Sequence, residues 1–266
     1  MAVQPEGTPC WVDAMFHDVE GAKNFYGAVL GWTFGEPSSE FGGYTQAHKD
    51  GRAVAGLVPP MPGEEMPSAW CLYFASPDAA ATAERIRAAG GELMMEPAQV
   101  GGLGTMALAR EPGGAVFGVW QGAAHEGFEK AGEAGAYSWA ELCTRDTARA
   151  DSFLMEVFPY RARQMDGGNE IDYRVFSIGG NPVLGRMEMG PDFPAEVPPF
   201  ISVYFGVADC DAAVAKATEL GGKLVFGPMD SPFGRFAALV DPQDAAFAVI
   251  DMGRVAGEMP AMTDVV

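Results

Sequence analysis

Histidine is scarce in this chain, with three among 266 residues. That is a thin supply for a metalloenzyme, because divalent sites draw heavily on imidazole. Basic residues are few as well: 17 Lys and Arg stand against 36 Asp and Glu, a formal charge of −19. Nucleic acid is disfavoured, since phosphate binding draws on clustered Lys and Arg, and an anionic membrane surface is disfavoured for the same reason. No run approaches the roughly 18 apolar residues of a membrane span. The opening MAVQPEGTPCW lacks the basic-then-apolar pattern of a secretory signal. Cys10, Cys71, Cys143 and Cys210 are scattered without CxxC spacing and read as free, mostly buried thiols in a reducing cytoplasm. What the chain does have is apolar content: 48% hydrophobic against 20% charged residues, enough to bury a sizeable core.

The chain also repeats itself. Slid by 128 positions, Trp11-Val-Asp13 falls on Trp139-Ala-Glu141, and Asp18, Ala22, Phe25 and Val29 meet Asp146, Ala150, Phe153 and Val157. A shift of 131 aligns Tyr73-Phe74, Asp78, Gly90-Gly91, Leu93 and Pro97 with Tyr204-Phe205, Asp209, Gly221-Gly222, Leu224 and Pro228. A shift of 130 aligns Gly104, Pro112, Ala115, Phe117 and Val119 with Gly234, Pro242, Ala245, Phe247 and Val249. The period is far longer than the roughly 20–50 residues of a solenoid repeat, so this is a duplicated module.

Each copy reads as strand, helix and three short strands, written twice. Ala22, Phe25, Tyr26, Val29 and Leu30 recur at i, i+3, i+4, i+7 and i+8, the stripe of an amphipathic helix. Asp18 and Asp146 are predicted N-caps, and Gly90-Gly91 suits a left-handed helix end. The fold class is therefore α+β: two tandem modules of paired βαβββ units. The expected boundaries are residues 8–121 and 137–252, with a linker over 122–136 and a loose tail over 253–266.

With these motifs in hand, the sequence resembles the vicinal oxygen chelate superfamily, which includes glyoxalase I, extradiol dioxygenases and bleomycin-resistance proteins. The carriers are Trp139-Ala-Glu141-Leu with Asp146 and Phe153, Val203-Tyr204-Phe205-Gly206, Gly221-Gly222 and Val240-Asp241-Pro242. The first copy shows the same with Phe74, Asp78, Gly90-Gly91 and Glu111-Pro112-Gly113-Gly114-Ala115. Two-module actinobacterial members of this kind are often labelled hydroxylase or glyoxalase-like. The resemblance implies, for each module, a curled eight-stranded mixed sheet with helices outside and a cleft inside. It also implies one divalent metal held from the first, fifth and last strands. Those positions fall on Asp13, Cys71 and Gly118 in one copy and on Glu141, Ser202 and Ala248 in the other. Each module thus keeps one reliable hard ligand of three, so neither metal nor other cofactor is predicted. His17, His48 and His125 show no HxH or HExxH spacing and read as solvated surface residues.

Period-two alternation sets which side chains enter the cleft. On the first strands these are Trp11, Asp13, Met15 and Trp139, Glu141, Cys143. On the fifth they are Cys71, Tyr73 and Ser202, Tyr204, with Tyr44 and Tyr173 as neighbours. On the last strands Gly118, Trp120 and Ala248 face inward. Small residues at the ligand positions, ringed by Trp, Tyr and Met, describe a pocket for a flat apolar molecule; the same aromatics could instead close the core between modules. Asp13 and Glu141 are read as ligand anchors, acid/base groups or structural acceptors, and Cys71 as inert packing or a nucleophile. The expected function is metal-independent binding of a small planar, aromatic or antibiotic-like molecule. The alternative is a dioxygenase, hydroxylase or glyoxalase-like lyase using a metal or the two carboxylates. The expected partner is a small molecule, with neither nucleic acid nor membrane, in a monomer or homodimer.

Overall fold

The computed structural model describes residues 4–60, 67–166, 171–191 and 193–265. The first half runs β1 (Pro9–Met15), α1 (Val19–Leu30), β2 (Thr33–Phe34), β3 (Thr45–Lys49), β4 (Arg52–Val58), β5 (Trp70–Ala75), α2 (Ala79–Ala88), β6 (Glu92–Val100), β7 (Gly104–Arg110) and β8 (Val116–Gly122). The second half repeats it as β9 (Tyr137–Thr144), α3 (Thr147–Val157), β10 (Arg161–Met165), β11 (Tyr173–Ile178), β12 (Asn181–Glu188), β13 (Phe200–Gly206), α4 (Cys210–Glu219), β14 (Lys223–Ser231), β15 (Gly234–Val240) and β16 (Ala246–Asp251). A further short strand, β17, spans Met262–Asp264. The strands form two mixed sheets, ordered β2-β3-β4-β1-β5-β8-β7-β6 and β14-β15-β16-β13-β9-β12-β11-β10-β17. This is the predicted tandem α+β architecture, with the second sheet one strand wider than expected.

The local signals act where the sequence placed them. The Asp18 carboxylate accepts from the Gly21 amide at 2.8 Å, and that of Asp146 from the Arg149 amide at 3.2 Å, which satisfies donors that a helix N-terminus leaves orphaned. Gly90 takes the left-handed conformation after α2, with φ at +83°. Alternation along β1 splits its residues: Val12, Ala14 and Phe16 are buried in the main core, whereas Trp11, Asp13 and Met15 face the opposite side.

That core belongs to both halves. Helix α1 reaches across to β16, where Phe25 and Tyr26 meet Phe247 at ring separations of 5.9 and 5.4 Å. Helix α3 does the reverse: Phe153 meets Phe117 on β8 at 6.0 Å, and Phe158 just beyond it meets Phe74 at 5.1 Å. Several polar groups at this junction are paired. The Tyr26 hydroxyl accepts from Trp70 Nε1 at 2.9 Å and donates to the buried Asp241 at 2.9 Å. In the second half Arg186 stands where the first has Leu57; it is 1% exposed and held by Asp151 at 3.0 Å and Asp172 at 2.9 Å.

Two expectations need correction. The tail is not loose: Met262–Asp264 pairs antiparallel with β10, opposite Arg163–Met165, because the outer edge of β10 would otherwise leave backbone groups unpaired. Of that segment only Val266 lies outside the described residues. Nor is His125 a solvated surface residue. It packs edge-on against Trp11 at 4.4 Å and against Trp120 at 5.7 Å, and burial lowers its pKa.

A shared core predicts shared unfolding. Phe247→Ala should cost about 4 kcal/mol. Urea denaturation followed by Trp fluorescence and far-UV circular dichroism should still give one coincident transition. Two separated transitions would show that the halves are stabilised independently.

Candidate functional site

On the face of each sheet opposite the main core, a carboxylate from the first strand stands between two strands that each supply something specific. Asp13 pairs with Gly56 on β4 and with Cys71 on β5. Glu141 pairs with Gly185 on β12 and with Ser202 on β13. The glycines make room. A Cβ at Gly56 would lie 1.8 Å from the Tyr44 hydroxyl, and one at Gly185 would lie 2.1 Å from that of Tyr173. Each tyrosine therefore lies over a strand that offers it no side chain, and its hydroxyl reaches the carboxylate.

The result is one relay built twice. Trp11 Nε1 donates to the Tyr44 hydroxyl at 2.7 Å, and Tyr44 donates to Asp13 Oδ2 at 3.3 Å; the Tyr73 hydroxyl bonds Asp13 as well. In the second copy Trp139 Nε1 donates to Tyr173 at 2.9 Å and Tyr173 donates to Glu141 Oε1 at 2.7 Å. Tyr204 donates to Glu141 Oε2 at 2.7 Å. Burial is the main influence on both acids and disfavours the charged form. It lifts Asp13 from 3.8 to about 7, against the pull of the Tyr73 and Tyr44 hydroxyls. Glu141 is also raised, by burial against Tyr173 and Tyr204. All four tyrosines are pushed well up by the same burial and by the neighbouring carboxylate, so they stay protonated donors.

The other candidates separate by environment. Burial, then the nearby Asp13, pushes the Cys71 thiol up, and burial with Glu141 does the same to Cys143. A thiol held protonated is a poor nucleophile. Gly118 lies beside Tyr73 in the sheet, and Ala248 beside Tyr204. A Cβ at Gly118 would come within 2.1 Å of the Tyr73 ring, so Tyr73 occupies the space a longer side chain would need. Met15 sits at the far end of β1, half-buried.

The metal that the resemblance implies does not fit this donor set. Among the described residues no three of His, Cys, Asp and Glu cluster as a metal site would require. Both oxygens of Glu141 already accept from tyrosines, and the last-strand donor is replaced by Gly118 or Ala248. The arrangement offers a carboxylate with free lone pairs beside aromatic faces, which suits hydrogen-bonding and stacking.

Sequence reading missed several residues here. His125 and Phe128 reach Trp11 from the linker, with Phe128 at 5.7 Å, and Phe236 meets Tyr204 at 6.2 Å. Gly56 and Gly185 did carry a signal, because glycine inside a strand marks close approach by another group. Nothing in the Gly-rich linker marked His125.

The fold and the paired cleft define the class: the chain belongs to the Glyoxalase/Bleomycin resistance protein/Dioxygenase superfamily, whose sequence profile matches residues 11–119. It is 38% identical over 262 residues to the anthracycline biosynthesis protein DnrV of Streptomyces peucetius, covering 92% of this chain and 94% of that one. It is likewise 38% identical over 250 residues to the putative glyoxylase CFP32 of Mycobacterium tuberculosis, covering 92% and 95%. Among solved structures, the Mn(II)-bound glyoxalase from Novosphingobium aromaticivorans shares the fold at a TM-score of 0.64 and 16% identity, covering 96% of this chain and 89% of that one. The 2,2',3-trihydroxybiphenyl 1,2-dioxygenase of Sphingomonas wittichii shares it at 0.65 and 12%, covering 98% and 92%.

Two measurements probe the relay. Between about pH 4 and 7 the folded protein keeps a proton on Asp13 that the unfolded chain releases. Its contribution to stability therefore falls as pH rises through that window and is constant above it. Asp13→Asn should flatten this part of the unfolding free energy between pH 5 and 8; identical slopes would mean that Asp13 is already charged at pH 5. Gly56→Ala should displace Tyr44, shift the Trp emission and cost about 2 kcal/mol, whereas unchanged emission and stability would refute the close fit.

Proposed function

We propose that this protein binds a small planar or aromatic metabolite, or an antibiotic-like molecule, in a cleft of its two modules without using a metal. Residues 8–121 and 137–252 form the modules and 122–136 the connection. The observation that carries this reading is the duplicated relay: where the family's metal donors would converge, each sheet presents a carboxylate bridged by tyrosines beside a glycine or alanine. In this reading Trp11, Trp139, Tyr73 and Tyr204 supply aromatic surface, and Asp13 and Glu141 orient a hydroxyl or amine of the ligand. Met15, Tyr44, Cys71, Gly118, Trp120, Cys143, Tyr173, Ser202 and Ala248 complete the linings. Each well-placed aromatic contact contributes about 0.5–1.5 kcal/mol beyond area burial.

The relatives agree with work on small molecules. One is named for anthracycline biosynthesis, and anthracyclines are fused planar ring systems, the shape such a cleft suits. A second reading, an enzyme of the same superfamily using the carboxylates, draws on Asp13, whose pKa near 7 matches what proton exchange at neutral pH requires.

The test is a titration of planar aromatic compounds, fused-ring quinones included, followed by intrinsic Trp fluorescence and by the melting temperature. Quenching with a raised melting temperature, unchanged after chelator treatment, is the expected result. No response across the panel, or binding that needs a stoichiometric divalent metal, would defeat the reading.

A further inference from the structure

We infer that the two clefts have diverged: the second takes the planar ligand along a row of aromatic rings, and the first is closed at its tryptophan end by the chain's own linker. This rests on the binding role proposed above and goes on to assign the site and the residues that select the ligand.

The first cleft is filled from within. The linker is stitched to three places around it: the His125 amide donates to the Leu103 carbonyl at 3.1 Å, that of Phe128 to Cys10 at 2.7 Å, and that of Glu129 to Ala53 at 2.9 Å. The Glu129 carboxylate returns to the Ala53 amide at 2.7 Å. Trp120 Nε1 donates to the His125 carbonyl at 2.8 Å, and the His125 ring lies between Trp11 and Trp120. Trp11, Tyr73 and Trp120 are consequently buried in a small apolar cluster, with Met106 and Leu108 packed against it. The Trp11 ring is already in contact with His125 and Phe128.

The second cleft receives no such plug from the described residues. The chain leaving β16 turns outward instead: Arg254 pairs with Asp211 at 2.9 Å, the Ala256 amide bonds the Ser231 carbonyl at 2.9 Å, and β17 joins β10. The residues that fill the first cleft also have different counterparts here. Strand register places Ile250 where the first sheet has Trp120, Ala238 where it has Leu108, and Phe236 where it has Met106. Trp139, Glu141, Ser202, Tyr204 and Phe236 all remain partly exposed.

What lines this opening is aromatic and graded. Phe226 on the edge strand is 51% exposed, its ring is 6.0 Å from Phe236, and Phe236 is 6.2 Å from Tyr204. Tyr204 in turn hydrogen-bonds Glu141 at 2.7 Å. The row runs from solvent to an enclosed carboxylate. A flat ring system fits along it, with a hydroxyl or amino group directed to the lone pairs that the tyrosines leave free on Glu141. Phe226 and Phe236 are then specificity-determining residues.

Hydroxylated anthraquinone is the probe, titrated into the full chain with Trp fluorescence and calorimetric stoichiometry as readouts. One molecule per chain is expected. Phe236→Ala should weaken binding about tenfold, about 1.4 kcal/mol, and Phe226→Ser, on an exposed side chain that folding does not need, should weaken it severalfold. Met106→Ala at the matching place in the first cleft should change it less than twofold. Trp139→Phe should remove most of the quenching. Two molecules per chain, or loss in Met106→Ala with Phe236→Ala unaffected, would overturn the assignment while leaving the binding role intact. Failure of this probe to bind the wild-type chain would overturn the assignment, and only failure of the whole panel above would overturn the binding role as well.

Discussion

Everything in this protein hangs on the aromatic packing between its two halves. Phe25 and Tyr26 from the first half lie on Phe247 of the second, and Phe153 and Phe158 of the second lie on Phe117 and Phe74 of the first. This exchange covers one face of each sheet with side chains of the other half, and the opposite face carries the carboxylates. Because alternation divides each strand between the two faces, burial of Val12, Ala14 and Phe16 in the main core also sets Trp11, Asp13 and Met15 on the opposite side. The cleft chemistry is thus a consequence of the core.

Within each cleft the governing constraint is the cost of enclosing a carboxylate. An unpaired buried charge is expensive, and among the described residues these sites meet it with tyrosines. Tyrosine hydroxyls donate to the acid, and in each copy a tryptophan indole donates to one of those tyrosines. Neutral donors stabilise the anion only in part, so both acids keep raised pKa values. The glycines at 56 and 185 serve the same arrangement by admitting the tyrosine rings. A fold shared with a manganese-bound glyoxalase here carries a hydrogen-bond relay around each carboxylate.

Duplication does not make the copies equal. The segment between the halves brings His125 and Phe128 against Trp11 in the first sheet. The tail that leaves the second half pairs with β10 at the sheet edge. Arg186 and its acidic partners, standing where the first half has Leu57, mark the same drift in the core.

Much of this was legible from the chain alone. The repeat offsets, the stripe from Ala22 to Leu30 and the capping aspartates specified four βαβββ units, because they depend on local periodicity and on backbone groups within a few residues. The same alternation put Asp13, Glu141 and their aromatic neighbours on one face, and the resemblance implied that Cys71, Ser202, Gly118 and Ala248 stand where metal donors would. Only the tertiary structure decided what those faces meet. Which hydroxyl bonds which oxygen, how far burial lifts Asp13, where the linker's His125 lodges and which edge the tail joins all depend on contacts between residues far apart in sequence. Such contacts leave no periodic trace. The scarcity of histidine pointed away from a metal, and the fold alone revealed that one of the three packs against Trp11 and Trp120.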